Sequence, residues 1–304
     1  MSQYTVILNP IAGKGGGRKL IDPIRKEFEK RGVDYELVVT TGPGHATQAA
    51  RDSGAPVVVA VGGDGTLNEV ANGIAGSLKA LGIIPAGSGN DFIKSVNIPA
   101  NVRAALEILF AGRIREVDAG EVSCGGGKAG PGNSPARLFV NGVGIGFDAA
   151  VAARTRQIRY LSGTTLYVTA VLQTLGRYEP PDFALSMDHT TEHSRNLLIA
   201  VGNGKCAGGG FYLTPDAEVD DGLLDICVVG EKTIPEILTL MPKVMRGKHH
   251  NVPGVKFFRE RHLSVSSDAS FFVHADGEIV GENVSTVTLG IRPRCLKILA
   301  PPKA

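Results

Sequence analysis

The chain of 304 residues is longer than one ordinary domain core requires and shorter than three, so two domains flanking a cleft are expected. Hydrophobic residues make up 43% and charged residues 20%, a balance that excludes a disordered or collagen-like chain and makes the 40 glycines a sign of many special turns. A net charge of +2 is too small to argue for a nucleic-acid partner, although a local basic face could still serve contact with anionic lipid.

The opening MSQYTVILNP has neither the basic start nor the apolar stretch of a signal peptide, and no run of about eighteen apolar residues occurs, so a cytoplasmic protein is expected. Cys124, Cys206, Cys227 and Cys295 stand apart without any CxxC pair, which points to reduced, packed thiols rather than a zinc or disulfide framework.

In chain order, Tyr4 to Leu8 is a strand running into the glycine-rich loop Asn9 to Gly17. Ile21, Ile24 and Phe28 share a helical face, Tyr35 to Thr40 is a second strand, and a short alanine-rich helix covers Ala46 to Ser53. Val57 to Val61 is apolar without alternation, as a parallel strand covered on both faces should be. This β-α-β-α-β order implies a doubly wound parallel sheet with ligands at the strand C-termini.

Gly62-Gly63-Asp64-Gly65-Thr66-Leu67-Asn68-Glu69 follows that strand. Leu67, Val70, Ala71 and Ile74 recur at helical spacing, and Thr66 with Glu69 has the spacing of a capping box. Three glycines before a helix N-terminus let backbone N–H groups approach a phosphate, and Asp64 there suits a magnesium contact or a proton acceptor; a plain strand-to-helix turn is the alternative. A further strand, Leu81 to Pro85, ends in Ala86-Gly87-Ser88-Gly89-Asn90-Asp91, so three strand ends carry phosphate-compatible loops. Neither a Walker loop nor the protein-kinase motifs are present, and Gly142-x-Gly144-x-Gly146 lacks the full dinucleotide fingerprint, which favours close backbone packing.

The second half is β-rich. Leu138 to Asn141, Asn196 to Val201, Leu223 to Val229, Phe271 to Ala275 and Val284 to Ile291 have strand character. Helices are expected over Ala149 to Leu175, broken near Ser162-Gly163, and over Ile234 to Arg246. Cys124 to Pro135 forms a long flexible loop. Asp276-Gly277, read alone, is a hairpin turn.

NPIAGKG, VGGDGTLNEVANGI, IPAGSGNDF, VDAGEV, NGVGIGFDA, VGNG with a GGG run, DAEVDDGLLDI and HADGE occur in this order along nearly the whole chain. Together they resemble the diacylglycerol kinase catalytic-domain family, which includes soluble bacterial lipid kinases and the sphingosine and ceramide kinases. The resemblance implies an α/β nucleotide-binding domain similar to those of NAD kinases and phosphofructokinases, over residues 1–120 with 293–304 returning to it. A β-rich sandwich domain for the lipid would occupy residues 121–292.

It also implies ATP contacts at Asn9, Pro10, Gly13, Thr40 (or its neighbour Thr41), Gly62, Gly63, Asp64, Gly65, Thr66, Leu67, Asn68 and Ser88. The proton acceptor maps to Asp276, with Asp64 cooperating or taking that role itself. A magnesium-organising site maps to Glu218, Asp221 and the carbonyl of Leu223. The activity implied is transfer of the γ-phosphoryl group of ATP to a hydroxyl of diacylglycerol or a sphingoid or ceramide-type lipid, by a protein that visits the membrane surface transiently. NAD kinase, which shares GGDGT, and an inert nucleotide- or lipid-binding regulator are the alternatives.

Overall fold

The computed structural model describes residues 2–126, 135–155, 157–158, 161, 163–176 and 178–303. The expected helix break at Ser162 and most of the loop expected over Cys124 to Pro135 lie outside the described residues. The chain divides into two compact units, residues 1–118 with 293–304, and residues 119–292.

The first unit alternates strand and helix: β1 (Tyr4–Leu8), an irregular turn α1 (Ala12–Gly15), a 3-10 turn (Gly17–Leu20), α2 (Ile21–Lys30), β2 (Tyr35–Val39) and α3 (His45–Asp52). It continues with β3 (Val57–Gly62), α4 (Asp64–Ile74), β4 (Ala80–Pro85), α5 (Phe92–Ser95) and α6 (Val102–Ala111). The strands pair in parallel in the order β2-β1-β3-β4, and Lys297 and Ile298 from the end of the chain add in parallel beside Ala80 and Leu81. Val6, Leu8, Val59, Val61 and Ile84 pack against Ile24 and Phe28 of α2 and Leu106 and Leu109 of α6. Thr5 points the other way, where its hydroxyl accepts a hydrogen bond from Ser53, just past α3, at 2.8 Å.

Two local features differ from the sequence reading. The helix α6 was not anticipated, yet Asn101 caps it by accepting the Ala104 N–H at 3.1 Å, and Gly112 ends it in the left-handed conformation. The expected capping box of α4 does not form. Thr66 instead accepts a hydrogen bond from the Asn9 amide at 3.0 Å, and the Glu69 carboxylate accepts the Gly44 and Ala46 N–H groups at the start of α3, each at 3.0 Å. The reason is local: α3 begins at Gly44, which has no side chain to cap with, so the neighbouring helix supplies one.

The second unit contains most of β5 (Ile114–Gly125), then β6 (Arg137–Phe139), β7 (Gly142–Gly146), α7 (Phe147–Thr155), α8 (Gly163–Leu175), β8 (Asp182–Met187) and β9 (Thr191–Gly202). After these come β10 (Leu224–Gly230), α9 (Ile234–Val244), β11 (Val255–Glu260), β12 (His262–Ala275) and β13 (Glu278–Leu299). Strands run β11-β10-β9-β7-β12-β13, with β8 beside β9 and β12 and with β5 beside β13 and β6. The long strands change partners midway: β9 pairs with β8 up to Arg195 and with β10 from Asn196, while β12 pairs with β8 at Leu263 to Ser266 and with β7 at Val273 to Ala275.

Alternation along β10 shows how the layers form. Leu224, Ile226 and Val228 enter a core with Phe139, Ile145, Phe183 and Val265, whereas Cys227 and Val229 face Phe147, Val171, Ile237 and Leu240 of the helices.

Phe28 is fully buried, edge-on to Tyr4 and Phe110 with ring centroids at 5.4 and 4.9 Å. Phe28→Ala should therefore lower the unfolding free energy by about 3–5 kcal/mol, read from the shift in a urea denaturation midpoint at unchanged slope.

Candidate active site

In a sheet of order 2-1-3-4 the chain reverses direction between β1 and β3, and the crevice outside the carboxyl ends of those two strands is where such sheets take ligands. Asn9 and Pro10 follow β1, Thr40 follows β2, Gly62 to Asn68 follow β3, and Ser88 lies in the loop after β4. Parallel pairing thus gathers every residue expected to touch ATP at one edge of the first unit. Thr40 N–H donates to Leu8 C=O at 2.8 Å, which ties it beside Asn9. The Thr41 hydroxyl lies 3.1 Å from His45 Nδ1.

The glycines at this edge are required by contact. Gly13 has φ +56, and a Cβ there would overlap the Ala86 carbonyl; a Cβ at Gly63 would stand 3.1 Å from the Gly87 Cα. The loops after β1, β3 and β4 therefore touch backbone to backbone. Asp64 opens α4, and its Oδ1 accepts the Asp91 N–H at 2.7 Å and the Phe92 N–H at 3.3 Å, joining the loops after β3 and β4. Glycine-rich loops meeting at the start of α4, with a carboxylate oriented among them, are chemically suited to phosphate.

In the second unit, Asp276 and Gly277 form the two-residue turn between β12 and β13, both at positive φ (48° and 81°), as a tight hairpin demands. The Asp276 carboxylate accepts three consecutive backbone N–H groups, from Val140 at 2.8 Å, Asn141 at 3.0 Å and Gly142 at 2.9 Å. The turn is thus also a fixed carboxylate.

Behind it lies a polar layer to which the sequence reading assigned no role. Asp148, at the start of α7, and His274 on β12 are each 7% exposed, and His274 Nε2 lies 2.8 Å from Asp148 Oδ2. Gly144 is the direct partner of His274 across β7, where a Cβ would strike both groups. The spaced glycines of NGVGIGFDA therefore serve close packing. Among the described residues, His274 Nδ1 and Asn141 Oδ1 are buried without a hydrogen-bond partner, and both residues line a small chamber with Asp148 and Thr214. Asp148 and Leu213 also line an adjoining apolar pocket of about 510 Å³ of open space, walled by Phe147, Val171, Phe211, Ile237, Leu240 and Val244. An acid inside an otherwise apolar, glycine-rich run was the one available signal of this layer.

Asp221, expected to organise magnesium, has protein partners for both of its oxygens. Asp221 Oδ1 accepts the Leu223 N–H at 3.0 Å, and its other oxygen is bound by the Arg259 guanidinium. Among the described residues no group of three or more His, Cys, Asp or Glu side chains is gathered so as to hold a metal. Of the residues expected to organise magnesium, Glu218, Asp221 and Leu223, Asp221 is thus held by Arg259 and by the Leu223 N–H. Burial pushes the neighbouring Asp225 carboxyl up to about 6, against the pull of Arg259.

Residues 3–122 match the family model of the diacylglycerol kinase catalytic domain, and residues 141–300 match that of the YegS C-terminal NAD kinase beta sandwich-like domain. A diacylglycerol kinase of Mycobacterium tuberculosis is 30% identical over 99% of this chain and 96% of its own, and one of Staphylococcus saprophyticus is 29% identical over 91% and 89%. Among solved structures, a diacylglycerol kinase from Bacillus anthracis superposes with a TM-score of 0.70 at 20% identity over 99% of this chain and 97% of that one. Yeast NADH kinase does so at 0.56 and 9% identity, over 98% and 82%. These two likenesses establish the fold, an α/β domain followed by a β-sandwich-like domain. The chain belongs to the diacylglycerol kinase catalytic-domain family and is a kinase.

Proposed function

We propose that the protein is an ATP-dependent lipid kinase, transferring the γ-phosphoryl group of MgATP to a hydroxyl of diacylglycerol or of a sphingoid or ceramide-type lipid. The observation that carries this reading is the apolar pocket whose polar end is Asp148, in the same unit as Asp276. Its walls are apolar side chains and its one acid is Asp148, a lining that suits an acyl or alkyl chain with a hydroxyl at one end.

In this mechanism the loops of Asn9, Pro10, Gly13, Thr40, Gly62 to Asn68 and Ser88 hold the nucleotide, with magnesium arriving as part of that substrate. Asp276 accepts the proton of the lipid hydroxyl as its oxygen attacks the γ-phosphorus and the bond to ADP breaks. Asp64 orients the phosphate loops through its backbone contacts. Most of the acceleration comes from position and charge neutralisation at a loose transition state, so rigid backbone anchors for both aspartates are what the chemistry needs. Membrane contact is transient and peripheral.

The test is phosphate transfer from γ-labelled ATP into a panel of detergent-solubilised lipids and NAD. Label should enter one lipid class. Label in NAD alone would sink the reading in favour of an NAD kinase, and tight ATP binding with no transfer would favour an inert regulator. Asp276→Asn keeps an oxygen for the Asn141 and Gly142 N–H groups, loses the acceptor for Val140 N–H, and should lower kcat by about 10²–10⁴-fold while the KM for ATP stays within about twofold. Leu240→Trp, which fills the apolar pocket, should raise KM for long-chain acceptors by roughly tenfold and leave short-chain acceptors unaffected, as steady-state kinetics on a chain-length series would show.

A further inference from the structure

The helix α9 has two apolar faces. Ile237, Leu240 and Val244 are buried and wall the apolar pocket, while Ile234, Leu238 and Met245 are 49%, 46% and 42% exposed. At 100° per residue Ile234, Leu238 and Met245 fall within one narrow stripe, so their exposure is a continuous ridge. The acids near the start of the helix are engaged: Glu236 closes the capping box with Thr233 and approaches Lys232, and Glu231 lies 3.9 Å from Arg195. The other end is basic. Lys243, Arg246 and Lys248 are exposed and have no carboxylate partner among the described residues. Lys243 and Lys248 share an open dish of about 560 Å³ with His250 and Asn251, where His250 Nε2 lies 2.6 Å from Asp216 Oδ2.

We infer that α9 and this dish form the surface by which the protein docks on an anionic phospholipid bilayer. An apolar ridge leading to a helix end that carries lysine and arginine suits a helix lying in a membrane interface, the ridge meeting the acyl boundary and the cations at its end meeting phosphate headgroups. Cations at a helix C-terminus also complement its dipole, but that effect accounts for no exposed apolar ridge. Docking through α9 places the helix that walls the pocket against the bilayer, the source of a lipid acceptor. The inference rests on the lipid-kinase reading and adds the surface that serves it.

The experiment is co-sedimentation with phosphatidylcholine vesicles, with and without roughly one-third phosphatidylglycerol. The wild type should pellet with the anionic vesicles, less so at high salt, and Leu238→Asp or Lys243→Glu with Lys248→Glu should each weaken binding about tenfold. Both variants should phosphorylate micellar dioctanoylglycerol, or the acceptor found in the lipid panel, at the wild-type rate. Variants that pellet like the wild type would overturn the docking surface, as would a change in oligomeric state of Leu238→Asp without lipid, which would give the ridge to a second copy of the chain. A wild type that binds vesicles but phosphorylates no micellar lipid would overturn the kinase reading alone.

Discussion

Three consecutive backbone N–H groups converging on the carboxylate of Asp276 are the interaction on which the second unit's site depends. A carboxylate so held cannot rotate or drift. It fixes the path between β6 and β7, hence the register that sets Gly144 against His274 and makes room for Asp148. The return contact, Asp276 N–H to Gly142 C=O at 2.9 Å, closes the arrangement from the other side. The positive φ of both turn residues is part of the same constraint, because only a tight turn delivers the carboxylate to that loop.

The first unit solves a parallel problem with glycine. Its loops must approach one another backbone to backbone, and side chains would hold them apart, so Gly13, Gly63 and Gly87 stand where β1, β3 and β4 end. Asp64 then ties two of these loops by accepting N–H groups. In both units an aspartate is positioned by main chain, the most rigid partner available, rather than by another side chain.

The elements most legible in the sequence were those under the strongest single constraint. Val57 to Val61 must be apolar at every position because helices cover both faces, and it was recognisable for that reason. The strands β8 and β11 are six residues each, with charges at or near an end, too short a span for alternation to separate them from loop. The capping pair was misread because spacing along the chain cannot show that a neighbouring helix, begun by Gly44, has greater need of Glu69. The contact of Asp221 with Arg259 was not legible either, because Arg259 lies on β11, remote in sequence. The gathering of the β1, β2, β3 and β4 loops at one edge was legible, since parallel order alone dictates it. The pairing of Asp148 with His274 was not, because it depends on a missing Cβ at position 144.

That missing Cβ bears on why the polar layer exists. A buried carboxylate and imidazole cost stability, and an apolar pair filling the same space would be cheaper. Here the cost is increased by His274 Nδ1 and Asn141 Oδ1, which lie buried without partners among the described residues. The layer meets the apolar pocket at Asp148 and Leu213, which line both it and the small polar chamber. In the lipid-kinase reading proposed above, a substrate with a long apolar body and a small polar head would meet apolar walls with the one and hydrogen-bonding groups with the other. The sequence NGVGIGFDA is thus best understood as a device that thins the sheet with glycines so that one acid can stand at the boundary between the two environments.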